Sequence, residues 1–217
     1  MAAAAAAAAA ALALAPAAAA GCGAGYVADA SAPTGCALKL LQLVPYTQSP
    51  GWKQVLDVAQ LAAAHVNAAD GAVVGAAAAA AAAAAGVRLA GVPADTEYGS
   101  RGAIGRVVAE APVAGAVGAA RSASSMPVAY LGAAQGFPQL SYWSTSPQLS
   151  SLDSFPFFMR TIPMDDLAVR AVAALLRHYG WQAVGVVFIN DGYGSGYASA
   201  LGSYAPDFGA RVVSSAR

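Results

Sequence analysis

The sequence predicts an α/β fold in which a largely parallel sheet is flanked by helices. Two observations carry this prediction. Short apolar runs of strand length alternate with longer segments in which apolar residues recur at helical spacing. Turn signals such as Asp70-Gly71 and Gly180 separate the segments, so that strand and helix follow one another as repeated units. Such repeats favour a parallel sheet with helices on both faces.

The first part of the chain supplies most of the predicted sheet. Its predicted strands are residues 37–44, 86–92, 112–118, 137–142 and 157–161. The helices between them are residues 50–67, 101–111 and 122–134, with Ser49 and Ser122 as N-caps and Pro127 tolerated only near the first turns. The alanine tract at residues 76–85 has no branched side chains to specify packing, so we expect a surface insertion.

The second part of the chain repeats the same pattern. A helix starts at Asp165 or Asp166 and ends at Gly180, and a strongly apolar strand follows at residues 181–189. Residues 194–204 are predicted helical, and residues 210–214 start one more strand.

Composition excludes several functions. Eleven basic and eleven acidic side chains cancel, and the scattered arginines form no basic face for nucleic acid. No phosphate loop, dinucleotide fingerprint, HExxH pair or nucleophile turn is present, so we expect neither an enzyme nor a cofactor. Cys22 and Cys36 are the only cysteines, without a Cys/His cluster for a metal. They are either a disulfide formed after secretion or two inert thiols.

The N-terminal segment, residues 1–20, resembles a secretory signal peptide without a basic start. Two alternatives remain: an alanine tract with no targeting role, or a poor lipoprotein site at Cys22. No later run is apolar enough over sufficient length to span a bilayer.

Polar side chains follow the predicted strands at their carboxyl ends, where open α/β sheets bind ligands. The residues in question are Ser122, Ser144, Thr145, Asp165, Asp191 and Tyr193. Hydroxyls and helix N-terminal amides suit a carboxylate, whereas a carboxylate and an aromatic face suit an ammonium. Each residue also has a structural interpretation: Ser122 and Asp165 as N-caps, Thr145 and Tyr193 as turn residues.

Five motifs between residues 137 and 196 carry a family resemblance: PQLSY, STSPQLS, FPFFMRTIPMD, HYGW and DGYGSG. In this order, they resemble the extracellular ligand-binding region shared by family C G-protein-coupled receptors, natriuretic-peptide-type receptors and bacterial amino-acid-binding proteins. The resemblance implies a type I periplasmic-binding-protein-like fold. Lobe one would be residues 36–165, and residues 166–217 would begin an incomplete lobe two.

The resemblance also implies roles for the strand-end residues. By similarity to the metabotropic glutamate receptors, Ser122 and Thr145 would hold the α-carboxylate of an amino acid. Asp165 and Tyr193 would contact its amine. Trp143 stands where those receptors have a small residue, which implies a differently shaped pocket. Residues 95–112 are short and lack the family's following cysteine.

The implied function is the extracellular part of a cell-surface signalling receptor, present here as a fragment, whose lobes close around a small amino-acid-like ligand. It would dimerise through lobe one and reach the plasma membrane through a segment absent from this chain. One alternative is the substrate-binding protein of an amino-acid transport system. Another is a fragment without a function of its own, because an incomplete lobe exposes sheet edges.

Overall fold

A computed structural model describes residues 22–48 and 50–216, and these residues confirm the predicted α/β class. The strands are β1 (Tyr26–Ala28), β2 (Cys36–Val44), β3 (Leu89–Asp95), β4 (Gly115–Val117), β5 (Gln139–Ser141), β6 (Phe158–Arg160), β7 (Ala183–Val187) and β8 (Arg211–Ala216). The helices are α1 (Pro50–Asn67), α2 (Gly71–Val74), α3 (Ala76–Ala85), α4 (Ser100–Glu110), α5 (Ser122–Gln135), α6 (Asp166–His178) and α7 (Gly192–Tyr204). Residues 1–20, the predicted signal-like segment, lie outside the described residues.

Two sheets organise the described chain. In the larger sheet, β2 pairs in parallel with both β3 and β4, and β5 and β6 continue beyond β4. Leu41 is paired with Val92 of β3 on one side and with Ala116 of β4 on the other. Strands β7 and β8 form a separate parallel pair. Because the strands of the larger sheet that follow β1 run in one direction, their carboxyl ends meet at one edge.

Strand β1 is absent from the prediction, since three residues carry too little pattern to detect. It runs antiparallel to the start of β2, with Tyr26 opposite Leu38. A disulfide joins Cys22 to Cys36, so the structure favours the first of the two alternatives for these cysteines. The bridge attaches the segment before β1 to the first residue of β2.

The larger sheet carries the main core. Its buried members come from β2, β3, β4, α4, α5 and the loops around them, among them Leu41, Leu43, Val107, Val128 and Phe137. A separate core forms where α6 and α7 cover one face of β7 and β8. Its buried members are Val169, Leu176, Leu201, Ala205 and Ala210.

Pro127 lies inside α5 within its first two turns, where the prediction tolerates a proline. Proline has no amide hydrogen, so the carbonyl of Ala123 loses its helical donor. The hydroxyl of Ser100 replaces that donor at 2.7 Å from the Ala123 oxygen. The compensating bond also joins the start of α4 to α5.

The alanine tract shifts the predicted start of one strand. Residues 76–85 form helix α3, which lies largely exposed with only Ala79 buried. Alanine has the highest helix propensity, and Gly86 in the left-handed conformation ends the helix. Because the helix extends to Ala85, β3 begins at Leu89, later than the predicted residue 86.

The structure corrects the predicted N-caps of helices α5 and α6. Ser122 is the first residue of α5, and Arg121 precedes it without a side-chain cap. Asp165 precedes α6, yet its side chain forms no capping bond. Ser49, the predicted cap of α1, lies outside the described residues. The N-cap interpretation therefore explains neither Ser122 nor Asp165, and both side chains remain available for another role.

Among the helices in the described ranges, none has the length and apolarity required to cross a membrane.

Candidate functional site

A cavity of about 460 Å³ opens at the carboxyl edge of the larger sheet. This volume falls within the usual range of small-molecule sites. The cavity is lined by Trp52, Tyr98, Ala120, Arg121, Ser122, Trp143, Thr145, Asp165, Ile189 and Tyr193. The lining combines aromatic side chains with a few polar groups, which is the usual composition of a site that orients a small ligand.

The lining includes four of the six residues predicted from strand ends. Ser122 follows β4, Thr145 follows β5, Asp165 follows β6 and Tyr193 follows β7. The first three come together because the parallel strands of the larger sheet deliver their following loops to one edge. Tyr193 follows a strand of the smaller sheet and lines the same cavity from there. Their binding role stays a prediction.

The loop that presents Ser122 depends on Gly118. This residue has a φ of 111°, and a Cβ here would lie 2.3 Å from the carbonyl oxygen of Leu43. The side-chain amide of Gln139 donates through Nε2 to the Gly118 carbonyl at 2.8 Å. Only glycine permits the approach of β2 and the sharp exit of the chain from β4.

Ser122 is buried at the N-terminus of α5. Its hydroxyl oxygen accepts a hydrogen bond from the Ser146 amide at 3.1 Å. The hydroxyl hydrogen remains available to donate, and the adjacent helix N-terminus attracts negative charge. The two features together suit an anionic ligand group.

Ser144 differs from its neighbour Thr145, and its place in the predicted site needs correction. Its hydroxyl lies 2.7 Å from that of Ser125 and donates to the Ala119 carbonyl at 3.2 Å. The side chain is fully buried and does not line the cavity. It therefore fastens the loop after β5 to the loop after β4, which leaves Thr145 on the cavity side.

Asp165 is the carboxylate of the cavity and is only 8% exposed. Its Oδ2 has no hydrogen-bond partner within the described residues. Burial raises the pKa of this carboxyl above its ordinary value, although the Thr145 hydroxyl and the Arg160 charge oppose the rise. A buried carboxylate oxygen without a partner favours a ligand that brings a donor.

Arg160 holds the loop that carries Thr145 in place. Its Nη1 donates to the carbonyls of Ser144 at 3.2 Å and Ser146 at 3.0 Å. Burial lowers the pKa of the guanidinium, whereas Asp165 and Asp166 raise it. The arginine thus holds the backbone on both sides of Thr145.

Arg121 joins the larger sheet to the segment after β7. Its Nη2 lies 2.7 Å from Oδ2 of Asp191, and its guanidinium lies 5.3 Å from the centre of the Tyr98 ring. Asp191 also caps α7, accepting from the amides of Tyr193 at 3.0 Å and Gly194 at 2.8 Å. The carboxylate oxygens of Asp191 therefore already accept hydrogen bonds, and Asp191 does not line the cavity. Its bond from the Tyr193 amide holds Tyr193 beside the cavity.

Three aromatic residues form what we call the aromatic wall: Trp52, Tyr98 and Trp143. The ring centres of Trp52 lie 5.0 Å from Trp143 and 5.8 Å from Tyr98. Trp52 and Tyr98 are absent from the predicted site. Trp52 follows β2 at the same sheet edge, which was a usable signal, whereas Tyr98 depends on a left-handed backbone with φ of 61°.

No group of three or more His, Cys, Asp or Glu residues within 22–48 and 50–216 is arranged to hold a metal ion. The chemistry that the cavity offers is recognition through hydroxyls, a carboxylate and aromatic faces.

Comparison with known proteins assigns the family. The model of the receptor family ligand binding region matches residues 58–217. This chain belongs to that family. The match includes the five motifs and the four strand-end loops, and it confirms the resemblance drawn from the motifs.

Several receptors are similar to this ligand-binding region over part of its length. Metabotropic glutamate receptor-like protein E of Dictyostelium discoideum is 39% identical over 90 residues, which are 42% of this chain and 11% of that protein. Glutamate receptor 3.1 of Oryza sativa subsp. japonica is 43% identical over 65 residues, 30% of this chain and 7% of that protein. The human G-protein coupled receptor family C group 6 member A is 36% identical over 78 residues, 36% of this chain and 8% of that protein. The matched regions are thus about a tenth of each receptor.

Solved structures support the fold. An ABC transporter substrate-binding protein of Desulfitobacterium hafniense, solved in complex with Leu, superposes with a TM-score of 0.60 and 25% identity. The superposition covers 82% of this chain and 50% of that protein. The predicted periplasmic-binding-protein-like architecture is therefore confirmed.

Proposed function

We propose that this receptor-family chain binds a small α-amino acid in the cavity at the carboxyl edge of its larger sheet, as part of a cell-surface signalling receptor. The observation that carries the proposal is the convergence of Ser122, Thr145, Asp165 and Tyr193 on one cavity. The function is recognition rather than catalysis.

The proposed ligand contacts follow the charges of an amino acid. The Ser122 hydroxyl, the N-terminus of α5 and the Thr145 hydroxyl would bind the α-carboxylate. Asp165 would accept from the ammonium, and the Tyr193 ring would lie beside that cation. A zwitterion then satisfies the orphaned Asp165 oxygen while placing its anionic end at the helix N-terminus.

Signalling would follow from closure of two lobes, residues 36–165 and 166–217, around the ligand. Contacts between the two regions support this assignment. Arg121 pairs with Asp191, and Gly196 of α7 approaches Ser146 so closely that a Cβ would lie 2.8 Å from its hydroxyl oxygen. A ligand that touches both Ser122 and Tyr193 would favour the closed arrangement.

The proposed location is the extracellular face of the plasma membrane, with attachment through a segment absent from this chain. The Cys22–Cys36 disulfide supports an oxidising compartment. We also propose dimerisation through lobe one, and the exposed apolar side chains Ile104 and Val108, which share one face of α4, support that surface.

The second candidate is a transport substrate-binding protein, favoured by the similarity to the Desulfitobacterium hafniense protein. Both candidates share the cavity and differ in what the transcript encodes beyond Arg217. A hydrophobic span downstream of a complete second lobe supports the receptor. A second lobe followed by a stop codon supports the transport protein.

Titration calorimetry of the purified chain with α-amino acids tests the binding site. We expect Thr145→Ala and Asp165→Ala each to weaken binding about tenfold or more, because each removes a polar contact in a buried site. Thr161→Ala and Asp153→Ala are the matched controls, since both residues are exposed and neither lines the cavity. Unchanged affinity in the cavity variants would contradict the site assignment.

A further inference from the structure

The charges of the cavity limit the class of side chain that a ligand can carry. Among the described lining residues, the formally charged ones are Arg121 and Asp165. Arg121 is already paired with Asp191 at 2.7 Å and lies over the Tyr98 ring. A ligand with a second carboxylate would have to share this arginine with Asp191, which already neutralises its charge. A ligand whose side chain is uncharged meets no such competition.

The aromatic wall supplies three of the four aromatic residues that line the cavity. Trp52 contacts both other members of the wall, at an angle of 43° to Trp143 and 70° to Tyr98. Trp143 remains 58% exposed, although Ser141 and Ser144 in the same loop are buried. Its ring is therefore free to receive a ligand.

The position of Trp143 is fixed before any ligand arrives. The Ser141 hydroxyl accepts from the amides of Trp143 at 3.3 Å and Ser144 at 3.0 Å. The same hydroxyl donates to the Ala119 carbonyl at 2.7 Å. Because these hydrogen bonds already hold the loop in place, a ligand that packs on the Trp143 ring orders little of the protein. The entropic cost of binding is therefore small.

We propose that the ligand is a monocarboxylic α-amino acid with an aromatic side chain, which packs on Trp143 in an offset or edge-on arrangement. This inference rests on the proposed function, since it uses Ser122, Thr145, Asp165 and Tyr193 for the α-amino and α-carboxylate groups. Trp143 is then the residue that determines specificity. Its size directs the ligand side chain along the wall instead of towards Arg121.

Calorimetry of the full 217-residue chain with four ligands tests the proposal: L-phenylalanine, L-cyclohexylalanine, L-alanine and L-glutamate. We expect L-phenylalanine to bind tightest. Its affinity should exceed that of L-cyclohexylalanine, which carries a saturated ring of similar shape, by roughly threefold to tenfold. The reason is that aromatic pairs gain interaction energy beyond that of the buried area. L-glutamate should bind most weakly of those with long side chains. Equal or tighter binding of L-glutamate would overturn the proposal.

Substitutions of tryptophan separate this inference from the proposed function. Trp143→Ala should lower the affinity for L-phenylalanine about tenfold more than that for L-alanine, and Trp143→Phe should restore most of the loss. Trp181→Ala is the matched control, because Trp181 is similarly exposed but stacks on Tyr179 outside the cavity.

The outcomes are distinguishable. If none of the four ligands binds, both the proposed function and this inference fail. If amino acids bind but Trp143→Ala weakens L-alanine and L-phenylalanine equally, only the aromatic specificity is wrong.

Discussion

The two sheets of this protein differ in how completely their side chains are covered. Leu41 and Leu43 of β2 are wholly buried between helices. In the smaller sheet, Val187 of β7 is 87% exposed, since α6 and α7 cover only the other face. The cavity lies where these regions meet. The tightly packed region can hold Ser122, Thr145 and Trp143 rigidly, whereas Tyr193 belongs to the region with fewer constraints.

Truncating one leucine in each region should give the largest difference in the free energy of unfolding. Leu41→Ala should lower the free energy of unfolding by about 2–5 kcal/mol, because it leaves a cavity in the main core. Leu175→Ala, on the exposed side of α6 where the side chain is 53% exposed, should change it by less than about 0.5 kcal/mol. Chemical denaturation measures both, and equal losses would contradict the difference in burial between the two positions.

The ion pair between the regions should have a smaller effect. Arg121 and Asp191 are partly exposed, so we expect a coupling free energy of roughly 0.5–1 kcal/mol between them. A double-mutant cycle with Arg121→Ala and Asp191→Asn measures it, since asparagine retains the capping oxygen of α7. Additive losses would mean that Arg121 does not connect the two regions.

The smallest predicted effect is a pH dependence from Asp165. Because burial raises its pKa above the ordinary 3.8, its favourable contribution to stability is present at low pH and is lost as pH rises through the raised pKa. Amino-acid affinity should change in the opposite direction, because the ammonium requires the ionised carboxylate. The contributions of Asp165 to affinity and to thermal stability should therefore have opposite pH dependence, and both trends should be weaker in Asp165→Asn when measured by calorimetry and thermal unfolding.

The parts of the fold and site that could be predicted follow from local patterns. The alternation of apolar runs gave the strand order along the chain, and the rule that strand ends share one edge led to Ser122, Thr145, Asp165 and Tyr193. The same reasoning could not distinguish Thr145 from Ser144. Their orientation depends on Ser125 and the Ala119 carbonyl, which lie far away in sequence.

The unpredicted parts depend on long-range or unusual geometry. The Arg121–Asp191 pair joins residues 70 positions apart, and no spacing rule relates them. Tyr98 reaches the cavity from a turn in which Glu97 and Tyr98 both have positive φ, a conformation that these residue types rarely adopt. Strand β1 is held by its pairing with β2 and a disulfide, and its own sequence is too short to indicate it.

We propose that the cavity recognises the amino and carboxylate groups of an amino acid, with Asp165 accepting hydrogen bonds from the ammonium. The most direct test compares L-phenylalanine with N-acetyl-L-phenylalanine, which lacks the ammonium, on the unmodified chain and on Asp165→Asn. Acetylation should weaken binding at least tenfold in the unmodified chain and much less in the variant, because the variant has already lost the charged contact. An equal penalty in both proteins would contradict the account, since Asp165 would then not contact the amino group.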